Sequence, residues 1–262
     1  MVFRIKDNKR RKRKRRVKKY ISFRFILIIL LLICSKSLIS NYNDYKDKEV
    51  SEVNLLLTNE KVDDTFTVCI DPGHGDWDVG AIGIGGSYEK DIVLDVSLEL
   101  GKLLESEGMN VVYTRTSDSL TWSDNSTENL YERVKICEDS NSDIFISIHC
   151  NSVGDLSEYR GVETWYNSES YNSEVLATTI QEELSNMNYT DDRGVKFYDE
   201  NEPLAVLNNN TVPSALIELG FISNWADENY LNSEYGQATI AKAICNAILS
   251  YKNNVKNYSL QS

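Results

Sequence analysis

The chain is short of histidine: among 262 residues there are two, His74 and His149, so any imidazole chemistry rests on that pair. Proline is also scarce, at three residues, and 41% of the chain is hydrophobic, which excludes a Pro-rich disordered protein and leaves enough apolar material for one substantial core. Five cysteines are present, but none are spaced Cys-x-x-Cys as in a structural zinc site. Cys69, Cys137, Cys150 and Cys245 each sit among apolar neighbours and read as small buried hydrophobes rather than bridged pairs. Basic residues thin out sharply after residue 40. The first 40 residues hold fourteen Lys and Arg against one acidic residue, so a net charge of −12 for the whole chain leaves −25 on the rest. A body that acidic is repelled by phosphates, which argues against nucleic acid as a partner. No internal repeat and no second domain stand out.

The basic start has its own logic. "MVFRIKDNKRRKRKRRVKKYISFR" leads into the apolar run "FILIILLLIC" and then "SKSLIS", the order of a secretory leader. Ten apolar residues are short for a spanning helix, which needs roughly 20. A run from Tyr20 to Ile39 would serve as an uncleaved anchor if Arg24 and Lys36 snorkel. Either way the excess of Lys and Arg sets the acidic body outside the cytoplasmic membrane, touching the membrane only through this segment. Residues 1–40 are therefore expected to be a leader or anchor, 41–65 a polar linker, 66–252 the folded domain and 253–262 a polar tail.

Within the folded domain, strand-like and helix-like patterns alternate. "FTVCIDPG", "NVVYTRTSD", "DIFISIHCNS", "GVETWYN" and "SALIELGFISN" read as strands, with helical spacing in "DIVLDVSLELGKLLESEG", "NLYERVKICEDSNS", "NSEVLATTIQEELSNM" and "SEYGQATIAKAICNAILSYK". This rhythm predicts a single α/β domain with a mostly parallel twisted sheet flanked by helices on both faces. Such folds bind ligands at the carboxyl ends of their strands. There the two histidines meet two glutamates: His74 follows the first strand, His149 closes the third beside Asn151, Glu218 closes the last, and Glu89 opens the first helix. Taken singly, each has an ordinary structural reading: a backbone-bonded turn, a satisfied strand end, a charge on a helix N-terminus. Taken together, two imidazoles and two carboxylates at one sheet edge are the smallest set that binds a catalytic Zn²⁺ and keeps a carboxylate free for proton transfer.

"IDPGHGDWDVGAIGIGGSYEKDIVLDVSLELGKLLESEGMNVVYTR", "FISIHCNS" and "VPSALIELGFISN" resemble, in order, the signature blocks of the zinc-dependent N-acetylmuramoyl-L-alanine amidases of the amidase-3 type. The resemblance spans Phe66 to Tyr251. It implies Zn²⁺ bound by His74, Glu89 and His149, Glu218 as the catalytic carboxylate, and peptidoglycan as substrate, cut between the lactyl group of muramic acid and L-alanine. It also implies structural or substrate-orienting roles for Arg115 and Arg133, and Asn151 joins them as a substrate-orienting candidate. Three positions depart from the family pattern: Asp76 replaces a glycine, Cys150 a small residue and Asn208 an arginine. Cys150 should face away from His149, because side chains alternate along a strand. The single-domain plan is most similar to the germination-specific amidases that trim spore cortex, and the absence of a wall-binding module suggests an exported partner protein. Two other readings use the same residues: a zinc peptidase cutting within the stem peptide, and a non-catalytic wall-binding scaffold, which would have no use for Glu218.

Overall fold

The computed structural model describes residues 65–259, apart from 123–124, 155–157 and 199–202, together with the isolated Lys36, Lys46 and Lys48. The leader and the linker expected over 1–40 and 41–65 lie outside the described residues, Lys36, Lys46, Lys48 and Thr65 excepted.

Six strands form one sheet: β1 Thr67–Pro72, β2 Asn110–Tyr113, β3 Ile144–Asn151, β4 Val162–Tyr166, β5 Asp192–Phe197 and β6 Ser214–Phe221. Their order is β2-β1-β3-β6-β4-β5. Every neighbouring pair is parallel except β6 with β4, so the sheet is mostly parallel as the pattern predicts. The helices are α1 Glu89–Ser106, α2 Ser126–Asp139, α3 Tyr171–Asn186, α4 Ala205–Asn208, α5 Trp225–Leu231 and α6 Glu234–Ser259.

Period-two alternation sorts the strand residues between two layers. Ile144, Ile146 and Ile148 of β3 and Ala215, Ile217 and Leu219 of β6 face the larger core, which α1, α3 and α6 close with Val96, Leu100, Ile180 and Ile244. On the opposite face Phe145 and Leu216 join Cys69, Val134, Cys137 and Leu207 in a smaller core under α2 and α4. The smaller core stops short of the strands' carboxyl ends. Further along that same face come Ser147 and His149 on β3 and Glu218 on β6. Cys150 belongs to the other face, packed in the larger core. All four described cysteines are buried and free.

Several features depart from the sequence expectation, helix α4 among them. Strand β5, "DRGVKF", has no apolar run to announce it, because it is an edge strand with exposed and half-exposed residues throughout. Helix α5 follows β6, where the pattern suggests a loop; Asn224 caps it by accepting from the backbone N–H groups of Ala226 and Asp227. Helix α6 runs on to Ser259, through most of the expected polar tail. Residues 253–255 are exposed, and an exposed stretch of helix needs no apolar stripe, so composition alone does not reveal it.

Candidate metal centre and active site

The site begins with the turn that follows β1. His74 and Asp76 occupy the left-handed region, with φ of 59° and 55°. That region costs a non-glycine residue about 1 kcal/mol or more, and Asp is among the residues that tolerate it best. This explains why a glycine suits the position where this chain carries Asp76. Several buried groups hold the turn in shape. Asp71, fully enclosed, accepts from Thr114 Oγ1 at 2.6 Å, Ser147 Oγ at 2.7 Å and an Arg133 terminal nitrogen at 2.6 Å. Burial would raise its carboxyl pKa, but Arg133 and the two hydroxyls prevail and hold it below the ordinary range.

Arg133 and Arg115 clamp the turn's backbone. Arg133 donates to the carbonyls of Pro72 and His74 and, through Nε, to Asn129 Oδ1. Arg115 donates to the carbonyls of Pro72, Gly73, Lys90 and Ser117. Lys90 adds bonds to the Asp76 carbonyl and to Asp118. These contacts orient His74 through its main chain. Asn151 turns toward β4, donating from Nδ2 to Glu163 Oε1 at 3.1 Å.

The loop closes on itself at Glu89, the first residue of α1. Its Oε2 accepts from the Ala81 backbone N–H at 2.8 Å, and its Oε1 accepts from that of Cys150 at 2.8 Å. The same Oε1 lies 3.1 Å from His74 Nε2 and 3.1 Å from His149 Nδ1. The two imidazoles stand edge to face, with ring centroids 4.8 Å apart. One ligand atom from each of the three side chains falls within 4.8 Å of the other two. Two glycines leave room for this convergence: a Cβ on Gly73 would lie 2.3 Å from His149 Cε1, and one on Gly80 would lie 2.6 Å from Glu89 Oε2. His74 Nδ1 sits 2.9 Å from Asp78 Oδ2, which directs Nε2 toward Glu89. Asp78 has no role in the sequence reading, although its place four residues after His74 was a visible signal.

The three side chains also act on one another electrostatically. Burial would push the Glu89 carboxyl up, but hydrogen bonds and charge from His149 and His74 take it far below the usual range. Burial pulls His74 down, while Glu89 and then Asp78 outweigh it and raise the imidazole to about 8. Glu218 differs. Its register partner on β3 is His149, and its partner on β4 is Glu163, so these three residues form one row across adjacent strands. Glu218 Oε2 is shut off from solvent and has no hydrogen-bond partner among the described residues. Burial raises the Glu218 carboxyl to about 7, against the pull of His149 and with the push of Glu89 and Glu163.

Beside the histidines opens a cavity of about 370 Å³, lined by His74 and His149 together with Trp77, Leu130, Leu204 and Val206. Trp77 is half exposed there. The site therefore offers a cluster of three metal-competent side chains, a carboxylate poised to carry a proton near neutral pH, and an apolar-walled opening beside them.

Comparison with known proteins agrees with this chemistry. The family model for N-acetylmuramoyl-L-alanine amidase, amidase-3, matches residues 68–250. The germination-specific N-acetylmuramoyl-L-alanine amidase of Bacillus subtilis (strain 168) is 31% identical over 241 residues, covering 89% of this chain and 94% of that protein. The amidase LytC of the same organism is 36% identical over 190 residues, but these make up only 35% of its length. The CwlD amidase of Clostridioides difficile, solved in complex with the GerS lipoprotein, superposes with a TM-score of 0.65 at 35% identity, covering 72% of this chain and 99% of that one. The chain belongs to the amidase-3 family and is an N-acetylmuramoyl-L-alanine amidase of the cell wall.

Proposed function

We propose that this amidase works with Zn²⁺ held by His74, Glu89 and His149, and that Glu218 is its catalytic carboxylate. The observation that carries the reading is the convergence of three ligand atoms within 4.8 Å beside a buried, unpartnered carboxylate oxygen. Two imidazoles and a carboxylate are a donor set suited to catalytic zinc, and the second hydrogen-bonded carboxylate on His74, Asp78, is the usual outer partner of a ligating imidazole. Zn²⁺, when bound, polarises the scissile carbonyl and lowers the pKa of water.

The chain's own residues do the rest. Glu218, with a carboxyl raised to about 7, takes the proton of the attacking water and returns it to the departing L-alanine amine. Its surroundings keep it able to hold either state near neutral pH. Asp71, Arg133 and Arg115 fix the turn that aims His74. Cleavage falls between the lactyl carbonyl of muramic acid and the stem peptide.

The basic and apolar leader, together with relatives that act on cell walls, supports export of the domain and a place in the wall or spore cortex. Match to the germination-specific amidase over nearly its full length supports a cortex role, where stem-peptide removal prepares muramic acid for lactam formation. The relative solved with a lipoprotein supports an exported partner for this chain too. No helix among the described residues is long and apolar enough to cross a membrane. Chelation of the purified protein should stop peptide release from peptidoglycan, and added Zn²⁺ should restore it. Full activity in a metal-free preparation contradicts the proposal.

A further inference from the structure

The row His149, Glu218, Glu163 continues outward to β5, and there the strand is irregular. Val162 pairs with Asp192 and Thr164 with Val195, so β5 fits three steps where β4 has two. The extra residue makes a bulge, unusual between parallel strands, and Gly194 within it has φ 76°. Without it, Arg193 and Lys196, an odd number apart, would point to opposite faces. With it, both reach the same carboxylate: Arg193 Nε lies 2.6 Å and Lys196 Nζ 3.2 Å from Glu163 Oε2.

The surroundings are built to receive them. Gly161 has no side chain where the Arg193 stem passes; a Cβ there would lie 2.6 Å from Arg193 Cγ. The Arg193 guanidinium rests 4.9 Å over the Phe221 ring, and Lys196 Nζ lies 5.9 Å from the centre of the Trp165 ring. Glu163 is nearly fully buried, and its Oε1 accepts from Asn151 Nδ2 and Trp165 Nε1, each at 3.1 Å. Carboxylates directly opposite each other on paired strands repel. Glu163 is kept opposite Glu218 all the same, saturated by four donors. Two cations on one carboxylate leave a single net positive charge, in a body whose net charge is −25. Arg193 and Lys196 stay about one third exposed, and among the described residues the terminal nitrogens of Arg193 donate no hydrogen bond.

We infer that Arg193 and Lys196, set by Glu163 and the β5 bulge, form a subsite for a free carboxylate on the peptide half of the substrate. This rests on the proposed role of Glu218. That residue must reach the departing amine, so the peptide lies on its side of the metal cluster, toward β4 and β5, and the muramoyl half takes the side of the apolar cavity. β5 is two strands beyond β6, about 10 Å at the usual spacing, and the Arg193 side chain leans back toward β4. An extended dipeptide spans roughly 7 Å, so the carboxylate in reach belongs to the second residue of the stem. Edge-strand charges often serve only to block aggregation. These two point instead into the row that holds the catalytic carboxylate.

The test uses the full-length, zinc-loaded protein and two muramoyl-L-alanyl-γ-D-glutamyl-L-lysine substrates, one with the glutamyl α-carboxyl free and one with it amidated. Wild-type protein should show a lower KM for the free acid. Arg193→Gln should raise KM for the free acid by roughly tenfold to a hundredfold, the value of a charge-assisted hydrogen bond. It should leave kcat, and both constants for the amidated substrate, within about twofold. Lys196→Gln should act in the same direction, and it supplies the readout if Arg193→Gln does not fold. Equal losses on both substrates make the pair a structural ion cluster and overturn the subsite, as does no loss on either. Failure of wild-type protein to cleave either substrate overturns the amidase mechanism beneath it.

Discussion

Replacing Gly73 with alanine adds one methyl group against the imidazole of His149, and the structure sets the size of the effect. Gly73 is outside the left-handed region, so its backbone admits alanine without strain. The new Cβ would stand 2.3 Å from His149 Cε1, 2.5 Å from Nε2 and 2.7 Å from Nδ1. Carbon–carbon contact needs roughly 3.6 Å, so the ring or the turn must give way by about 1.3 Å. Metal sites tolerate deviations of about 0.2 Å in ligand distance, several times less. Nor can the turn yield cheaply, since Arg115 and Arg133 hold the carbonyls of Pro72, Gly73 and His74. Overpacking of this kind costs about 1–3 kcal/mol of stability, so the domain should still fold. Zinc affinity should fall by at least the roughly 10–100-fold that loss of an outer partner produces. Competition against a fluorescent chelator measures the affinity, and circular dichroism measures the fold. A folded Gly73→Ala protein that binds Zn²⁺ as tightly as wild type would refute the assignment of His149 as a ligand.

Three further outcomes follow from the same geometry. Glu218→Gln should lower kcat by roughly 10²–10⁴-fold while zinc binding persists, since the role proposed for its carboxyl is to carry protons and it lies outside the ligand cluster; loss of metal with activity would reassign it as a ligand. Asp78→Ala removes the carboxylate on His74 Nδ1 and should weaken zinc binding by roughly 10–100-fold, read by the same chelator competition. The metal-free protein should lose stability as pH rises from about 5 to about 8. His74, raised to about 8, contributes stability that is complete below its unfolded value of 6.5 and gone above 8, on the order of 2 kcal/mol. Glu218, raised to about 7, acts in the same direction because its charged form is disfavoured in the fold. Thermal unfolding in chelator across that range checks the sign, and a melting temperature that rises with pH would contradict it.

Much of this site was legible in the sequence because its parts lie at strand ends that announce themselves. Apolar runs mark β1, β3 and β6, and the ends of all three carry the residues that meet: His74, His149 and Glu218. What stayed hidden depends on register and on edges. Strand β5 has no hydrophobic run, since one side of it is open, and its bulge shows only in the pairing with β4. Glu163 looks like an ordinary alternating polar residue until the antiparallel register sets it opposite Glu218. The resemblance implies structural or substrate-orienting roles for Arg115 and Arg133, but most of what they hold stays hidden before folding, because those acceptors are main-chain carbonyls, which every residue has. Asp76 stands where the family pattern has glycine, and its positive φ gives the physical meaning of that position.

Anomalous diffraction at the zinc absorption edge, on crystals of the purified protein, tests the central claim most directly. The account predicts one peak at ligand distance from His74 Nε2, His149 Nδ1 and the Glu89 carboxylate, with Glu218 beside it and not coordinated. No peak at that cluster, or a peak held by Glu218 in place of Glu89, would contradict it.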